Sequence, residues 1–277
     1  MNATNPELGE HCLTGAIRTN YHDIGEGEPV LLLHGSGPGV SAWANWRLTF
    51  EALKDSFRLI APDLVGFGFT EFPDNQVFSR QNWLDQIVAL LDELNLEKVN
   101  VVGNSFGGSM ALALAIHHPE RVNRVVLMGS VGVPFKITEG LDAVWGYTPS
   151  LERMKSIMNI FAYDNSLVAD SIVQSRYEAS LRDSTRRAYE SMFPAPRQRW
   201  VDAMSHSHAE ITGIPHEVLL IHGRDDKVIP LETSLTLNQL IEKSQLHIFG
   251  RCGHWTQIEH KDAFACLLED FFQANLS

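Results

Sequence analysis

The sequence predicts an α/β protein: a mostly parallel sheet with helices on both faces and a helical lid inserted between the two parts of the core. Three observations carry this. Short apolar runs such as Val30–Leu33, which is wholly apolar, and Val99-Asn-Val-Val102 end at glycine-rich turns, the pattern of strands buried on both faces. Helical stretches separate these runs, and strands alternating with helices build parallel sheets through right-handed crossovers. From about Pro134 to Ile214 the alternation stops, and only short helical segments interrupted by Pro149, Pro194 and Pro196 remain.

In chain order, Val30–Leu33 is the first strand read and Phe57–Ala61 the second, stopping at Pro62 and Asp63. Trp83, Ile87, Leu90, Leu91 and Leu94 mark one face of a helix over about Asn82–Leu94. Val99–Val102 leads through a glycine-flanked turn into the helical run Met110–Ile116, which Pro119 closes. Val125–Met128 is a fourth strand. Within the insertion, Met154, Ile157, Met158 and Phe161 have the spacing of one helical face, suited to a small core or to a lid over a site. Strands resume at Glu217–Ile221 and Gln245–Phe249, and a final helix spans about Ile258–Phe272. The 277 residues therefore read as one core split into 1–133 and 214–277, with the lid at 134–213 between them.

Composition narrows the function. Hydrophobic residues at 44% and charged residues at 20% describe a globular chain. Acids outnumber bases by 34 to 22, and the net charge of −12 argues against nucleic acid and anionic membranes as partners. An anionic substrate would need a local cation. The longest apolar run, Met110–Ile116, is far short of the roughly 18 residues that cross a bilayer. Met1–Glu7 carries neither a basic nor an apolar leader region, so a cytoplasmic protein is expected. Cys12, Cys252 and Cys266 are too scattered for a disulfide framework. His117 with His118, and His206 with His208, lack a third ligand at metal spacing, so no metal is expected.

Sites in such sheets lie beyond the carboxyl ends of the strands. After Val99–Val102 comes Gly103-Asn-Ser-Phe-Gly107, a G-x-S-x-G between strand and helix, where the glycines relieve crowding and Ser105 projects as a nucleophile. A serine hydroxyl needs a base. His254, just after the last strand, fits the chain order of this arrangement, whereas His34, His222 and His247 read as structural imidazoles. The base needs a carboxylate to fix its tautomer. Asp225 and Asp226 compete after Glu217–Ile221; Asp226 is preferred, though periodicity alone does not separate them. An oxyanion hole needs two amides. One belongs to Phe106, and the other should come from the loop His34–Gly39, which has neither GxGxxG nor GK[ST] and so is no phosphate loop.

These residues resemble the α/β-hydrolase superfamily and, within it, the meta-cleavage product hydrolases of aromatic degradation, which cut a carbon–carbon bond. The segments that carry the resemblance are His34–Trp46, Gly103–Gly108, Thr138–Tyr147, Phe193–Trp200 and Gly253–Glu259, and it extends from about Gly15 to Phe272. It looks nearest to the branch acting on 2-hydroxymuconate semialdehyde and the ring-fission products of monoalkylbenzenes. The resemblance implies the triad Ser105, Asp226 and His254, and an oxyanion hole from the backbone of Ser36 and Phe106. It also implies a clamp for the dienoate end of the substrate from Asn45, Asn104, Arg176 and Trp255. Arg176 would be the local cation that an acidic protein needs for a small anion. Val131, Trp145, Met158, Phe161 and Val228, after strands or in the lid, are candidates to line the acyl pocket. No cofactor is implied; a homodimer or higher homo-oligomer is suggested. A carboxylesterase using the same triad is the alternative activity.

Overall fold

In the computed structural model, residues 5–274 are described; residues 1–4, the start of the segment read for a leader, and 275–277 lie outside them. The strands are β1 (Glu10–Thr14), β2 (Ile17–Ile24), β3 (Glu28–Leu33), β4 (Phe57–Pro62), β5 (Val99–Asn104), β6 (Val122–Met128), β7 (Val218–Gly223) and β8 (Ser244–Phe249). They form one sheet in the order β1-β2-β4-β3-β5-β6-β7-β8. β2 pairs antiparallel with β1 and β4, and every pairing from β4 to β8 is parallel.

Strand alternation divides the core between two faces. Leu31, Leu33, Val101 and Leu127 face one side; Val30, Leu32, Val102 and Val126 face the other. The first face is covered by α2 (Arg80–Glu93), with Trp83, Ile87 and Leu90, by α3 (Phe106–His117), and by Leu237 of α10 (Leu231–Leu240). The second is covered by Trp46 and Phe50 of α1 (Ala42–Leu53) and by Phe264, Leu268 and Phe271 of α12 (Lys261–Gln273), which follows the short α11 (Thr256–Glu259). Burial on both faces is why the paired stretches of β3 and β5–β7 are mostly apolar.

β1 and β2 have no counterpart in the sequence reading. Their antiparallel pairing lets β2 run Ile-Arg-Thr-Asn-Tyr-His, with buried Thr19 and Asn20, so no apolar run announces it. α1 and α10 also escape the reading. The final helix begins at Lys261, three residues after its expected start, because α11 forms a separate turn first.

Between β6 and β7 lie α4 (Glu139–Trp145), α5 (Leu151–Phe161), α6 (Asp170–Ser180), α7 (Asp183–Met192), α8 (Gln198–Met204) and α9 (His208–Thr212). Their buried residues, including Met154, Ile157, Met158 and Phe161, join the core of the first face. Among the described residues, no helix is long and apolar enough to cross a membrane.

The sheet order reverses at β3, since the chain goes from β3 to β4 on one side and then to β5 on the other. Leu33 pairs with Gly103, which sets the loop after β3 beside the turn after β5. Such a reversal opens a crevice at the strand ends.

Candidate active site

Ser105 occupies the turn between β5 and α3 with φ 55° and ψ −113°, a conformation that costs about 1–3 kcal/mol for a residue with a side chain. Its backbone is held on both sides: its amide donates to the Met128 carbonyl (2.8 Å), and its carbonyl accepts from Gly108 (3.0 Å) and Val131 (3.1 Å). The flanking glycines permit the turn. A Cβ on Gly103 would stand 2.4 Å from the Gly107 carbonyl oxygen, and one on Gly107 would stand 2.2 Å from that of Leu33.

It is Asp226 whose carboxylate reaches His254, with Oδ2 2.7 Å from Nδ1. Oδ1 accepts from the amides of Val228 (2.7 Å) and Ile229 (3.0 Å), which fixes the carboxylate orientation. Burial alone would raise its pKa, but the adjoining His254, His222 and the amide donors outweigh this and hold the carboxyl below its ordinary value. Asp225 instead approaches Arg224 at 3.5 Å.

His254 is tied to the inserted helices. Its amide donates to the Phe161 carbonyl (2.7 Å), and the Phe161 ring stacks on both the imidazole and Trp255, with centroids 5.6 and 5.2 Å away. Glu259 strengthens the joint by accepting from the Gly253 amide (2.7 Å) with Oε1 and from the amides of Tyr163 (2.8 Å) and Asp164 (3.1 Å) with Oε2.

The amides of Ser36 and Phe106 are candidates for an oxyanion hole, as neither donates a hydrogen bond among the described residues. The Phe106 ring points away, packing edge-on to Trp83 at 4.7 Å, so only its backbone is offered. Two residues of the inserted helices contact Ser36: Trp145 Nε1 donates to its hydroxyl (2.9 Å), and the Tyr189 hydroxyl, which donates to the Val144 carbonyl (2.7 Å), lies 3.1 Å from its carbonyl. His34 anchors the same loop, donating from Nδ1 to the Gly35 carbonyl (2.7 Å) and accepting at Nε2 from Leu64 (2.9 Å). Complete burial pushes its pKa down to about 4, so it serves as a neutral strut. His222, equally buried, pairs with Ser234 (2.7 Å) and the Ile229 carbonyl (3.1 Å).

Ser105 and His254 face a cavity of about 870 Å³, counting the part that opens to solvent. Ser36, Asn45, Asn104, Arg176 and Trp255 line it, as do Met158, Phe161 and Val228. Asn45 Oδ1 accepts from Gly35 (3.4 Å), while its Nδ2 is buried without a partner. Arg176 is already engaged: Nη1 donates to the Gly39 carbonyl (2.5 Å), and Nη2 meets Glu7 at 2.7 Å.

Comparison with known proteins places this geometry. Residues 28–261 match the family model described as alpha/beta hydrolase fold. A 2-hydroxy-6-oxo-2,4-heptadienoate hydrolase of Pseudomonas putida is 57% identical over 99% of both chains. A 2-hydroxymuconate semialdehyde hydrolase of Pseudomonas sp. strain CF600 is 56% identical over 98% of this chain and 96% of that one. The chain belongs to the meta-cleavage product hydrolases of the α/β-hydrolase family. A solved family member, the meta-cleavage product hydrolase of Pseudomonas fluorescens IP01 in a serine-to-alanine form complexed with acetates, is 55% identical. It superposes with a TM-score of 0.96 over 97% of this chain and 98% of that one.

In this family member, two of the expected acyl-pocket residues stand elsewhere. Trp145 does not line the cavity: its indole stacks on Phe193 at 4.5 Å and its N–H is spent on Ser36. Val131 gives its amide to Ser105 and buries its side chain in the core. Leu141, Val144, Met154, Leu167 and Ile172 contribute to the lining without having been expected there, and so do Arg47, Gln257 and Ile258. Reading α1 as a helix would have found Arg47, since it lies three residues after Ala44 on the same face of that helix and both line the cavity.

Proposed function

We propose that this hydrolase cleaves the C5–C6 bond of 2-hydroxy-6-oxohexa-2,4-dienoates, namely 2-hydroxymuconate semialdehyde or its 6-alkyl analogues. The products are 2-hydroxypenta-2,4-dienoate and a small carboxylic acid. The observation that carries the reading is the company Ser105 and His254 keep in one cavity: two arginines, two asparagines and an apolar lid surface. An esterase needs only the triad. A dienoate needs a cation for its carboxylate, polar groups near its enol and apolar room for the acyl end.

The substrate dienol cannot break its C5–C6 bond directly without expelling a vinyl carbanion. His254 moves a proton from the 2-hydroxyl to C5, leaving a 2-oxo group conjugated to the C3–C4 double bond. Ser105 Oγ then gives its proton to His254 Nε2 and attacks C6, and the amides of Ser36 and Phe106 receive the oxyanion, each such donor contributing about 2.7–4 kcal/mol. Collapse breaks C5–C6, and the electron pair leaves as a dienolate delocalised onto the C2 oxygen, which protonation releases as the 2-hydroxydienoate. Water, deprotonated by His254, cleaves the Ser105 acyl ester to the acid. Asp226 holds the His254 Nδ1 proton throughout.

The purified protein is expected to bleach the yellow dienolate of a ring-fission product. Turnover of simple aryl esters with no bleaching would replace the carbon–carbon reading with the carboxylesterase one.

A further inference from the structure

A second imidazole lies behind the triad carboxylate. His222, in β7, is fully buried, and its Nε2 stands 3.6 Å from Oδ2 of Asp226, the oxygen that receives His254 Nδ1. Its other contacts fix where its proton sits. Nε2 is 3.1 Å from the Ile229 carbonyl, which can only accept, so Nε2 carries the hydrogen. Nδ1 is then an acceptor, and the Ser234 hydroxyl of α10 donates to it at 2.7 Å. Burial lowers the pKa of His222 against the opposing pull of Asp226, and the ring stays neutral.

The arrangement repeats, one link further back, what Asp226 does for His254. Ile229 and Ser234 select a tautomer, and that tautomer places a ring N–H beside a buried charge. At 3.6 Å the N–H is too distant from Oδ2 for a hydrogen bond, yet the carboxylate is only 1% exposed, so little solvent screens the dipole. Oδ1 accepts two amides, whereas among the described residues Oδ2 has a single hydrogen-bond donor, His254. Ile229 joins the two side chains: its amide donates to Asp226 and its carbonyl accepts from His222. Of the other titratable groups nearby, Glu232 of α10 acts on His222, and Cys252 lies in the field of Asp226, Asp225 and Glu259. These acids add negative charge, which leaves the His222 N–H to offset it at Oδ2 alongside His254.

We propose that His222 is a positioning residue of the triad: it holds the Ile229 peptide against Asp226 and stabilises the ionised carboxylate, so that the Asp226–His254 pair stays free of an added proton, and competent as a base, to lower pH. The proposal rests on the triad given above and not on which bond the enzyme cleaves. The sign follows from charge. A dipole that favours the carboxylate anion favours the pair without the added proton. Its removal therefore raises the pH at which the pair takes up that proton, whichever member holds it.

The test compares the wild type with His222→Gln, His222→Asn and His222→Phe. Two pH profiles are measured: kcat/KM for a 2-hydroxy-6-oxodienoate, and the rate at which phenylmethanesulfonyl fluoride inactivates Ser105. Inactivation needs the base but no carbon–carbon chemistry, so it decides the proposal even if the wild type bleaches no dienolate. The amide nitrogen of Gln reaches the Nε2 position and can donate there to Ile229, whereas that of Asn reaches only the Nδ1 position. His222→Asn and His222→Phe should move the acid limb of both profiles up by about half a unit to one unit, the worth of roughly one hydrogen bond. His222→Gln should keep the limb of the wild type. An acid limb that stays in place in His222→Asn, with only the plateau rate and the thermal midpoint lowered, would show a purely structural histidine and overturn the proposal. Equal shifts in His222→Gln and His222→Asn would overturn it as well. These two variants differ by one methylene, so their comparison stands even if His222→Phe impairs folding.

Discussion

Replacing Asp226 by asparagine separates the orientation of His254 from its mere presence. Oδ1 of Asp226 accepts two backbone amides, from Val228 at 2.7 Å and Ile229 at 3.0 Å, so an asparagine must keep its carbonyl oxygen there. Its NH2 group then takes the place of Oδ2, 2.7 Å from His254 Nδ1. Two donors cannot face each other, so the imidazole must accept at Nδ1 and carry its proton on Nε2. That tautomer cannot take the Ser105 proton. The same inversion in a serine protease triad lowers kcat by about 10⁴-fold, and a loss of that order, about 5.4 kcal/mol, is expected here. Because the side chain keeps its shape and Asp226 does not line the cavity, KM should change little. Stopped-flow decay of dienolate absorbance gives both constants. A fall in kcat of less than about tenfold would refute the tautomer argument.

Three further outcomes follow from other parts of the site. Trp145→Phe keeps the stack on Phe193 but removes the donor to the Ser36 hydroxyl, so kcat should fall about fivefold, the worth of roughly one hydrogen bond, with KM little altered. A change confined to KM would place Trp145 in substrate binding instead. Glu259→Ala leaves the amides of Gly253, Tyr163 and Asp164 without their acceptor, and urea denaturation should show a loss of at least about 2 kcal/mol, together with lower kcat. Unchanged stability would mean that water replaces the carboxylate at no cost. Acidification should destabilise the fold. His34 and His206 titrate near 4 in the fold against an ordinary 6.5, so their contribution is intact above about pH 6.5 and is lost as pH falls towards 4. Each costs about 2 kcal/mol between pH 7 and 5. Asp63, pushed up to about 6 by burial from an ordinary 3.8, returns about 1 kcal/mol over the same interval. Denaturant midpoints should therefore drop on going from pH 7 to 5, and His206→Gln should flatten the profile; a rise in stability would contradict the balance.

How much of this was legible in the sequence depends on how local each signal is. β3, β6 and β7 carry their burial as continuous apolar runs, β5 does so around a single Asn100, and the strand–turn–helix context of Ser105 is contained in a few adjacent residues. Asp226 and Asp225 could not be told apart by pattern because the difference lies in backbone amides that point at only one of them. Position after a strand or in the inserted helices suggests acyl contacts for Val131 and Trp145, yet an indole N–H seeks an acceptor when buried, and Ser36 supplies it 109 positions away. Glu7 and Arg176 meet across 169 positions, and no spacing rule reaches that far. Arg47 is not legible because α1, at Ala42–Leu53, follows a glycine-rich loop and carries Asn45 and Arg47 among its apolar residues, so no clean apolar face announces the helix.

Carbon–carbon cleavage through Ser105 is the step on which the mechanism depends. Incubating the wild type and Ser105→Ala with 2-hydroxy-6-oxohepta-2,4-dienoate in ¹⁸O-labelled water, and analysing the products by mass spectrometry, tests it directly. The wild type should yield equal amounts of 2-hydroxypenta-2,4-dienoate and acetate, the acetate carrying label, and the variant should yield neither at a comparable rate. An intact dienoate with the wild type, or undiminished cleavage by Ser105→Ala, would contradict it.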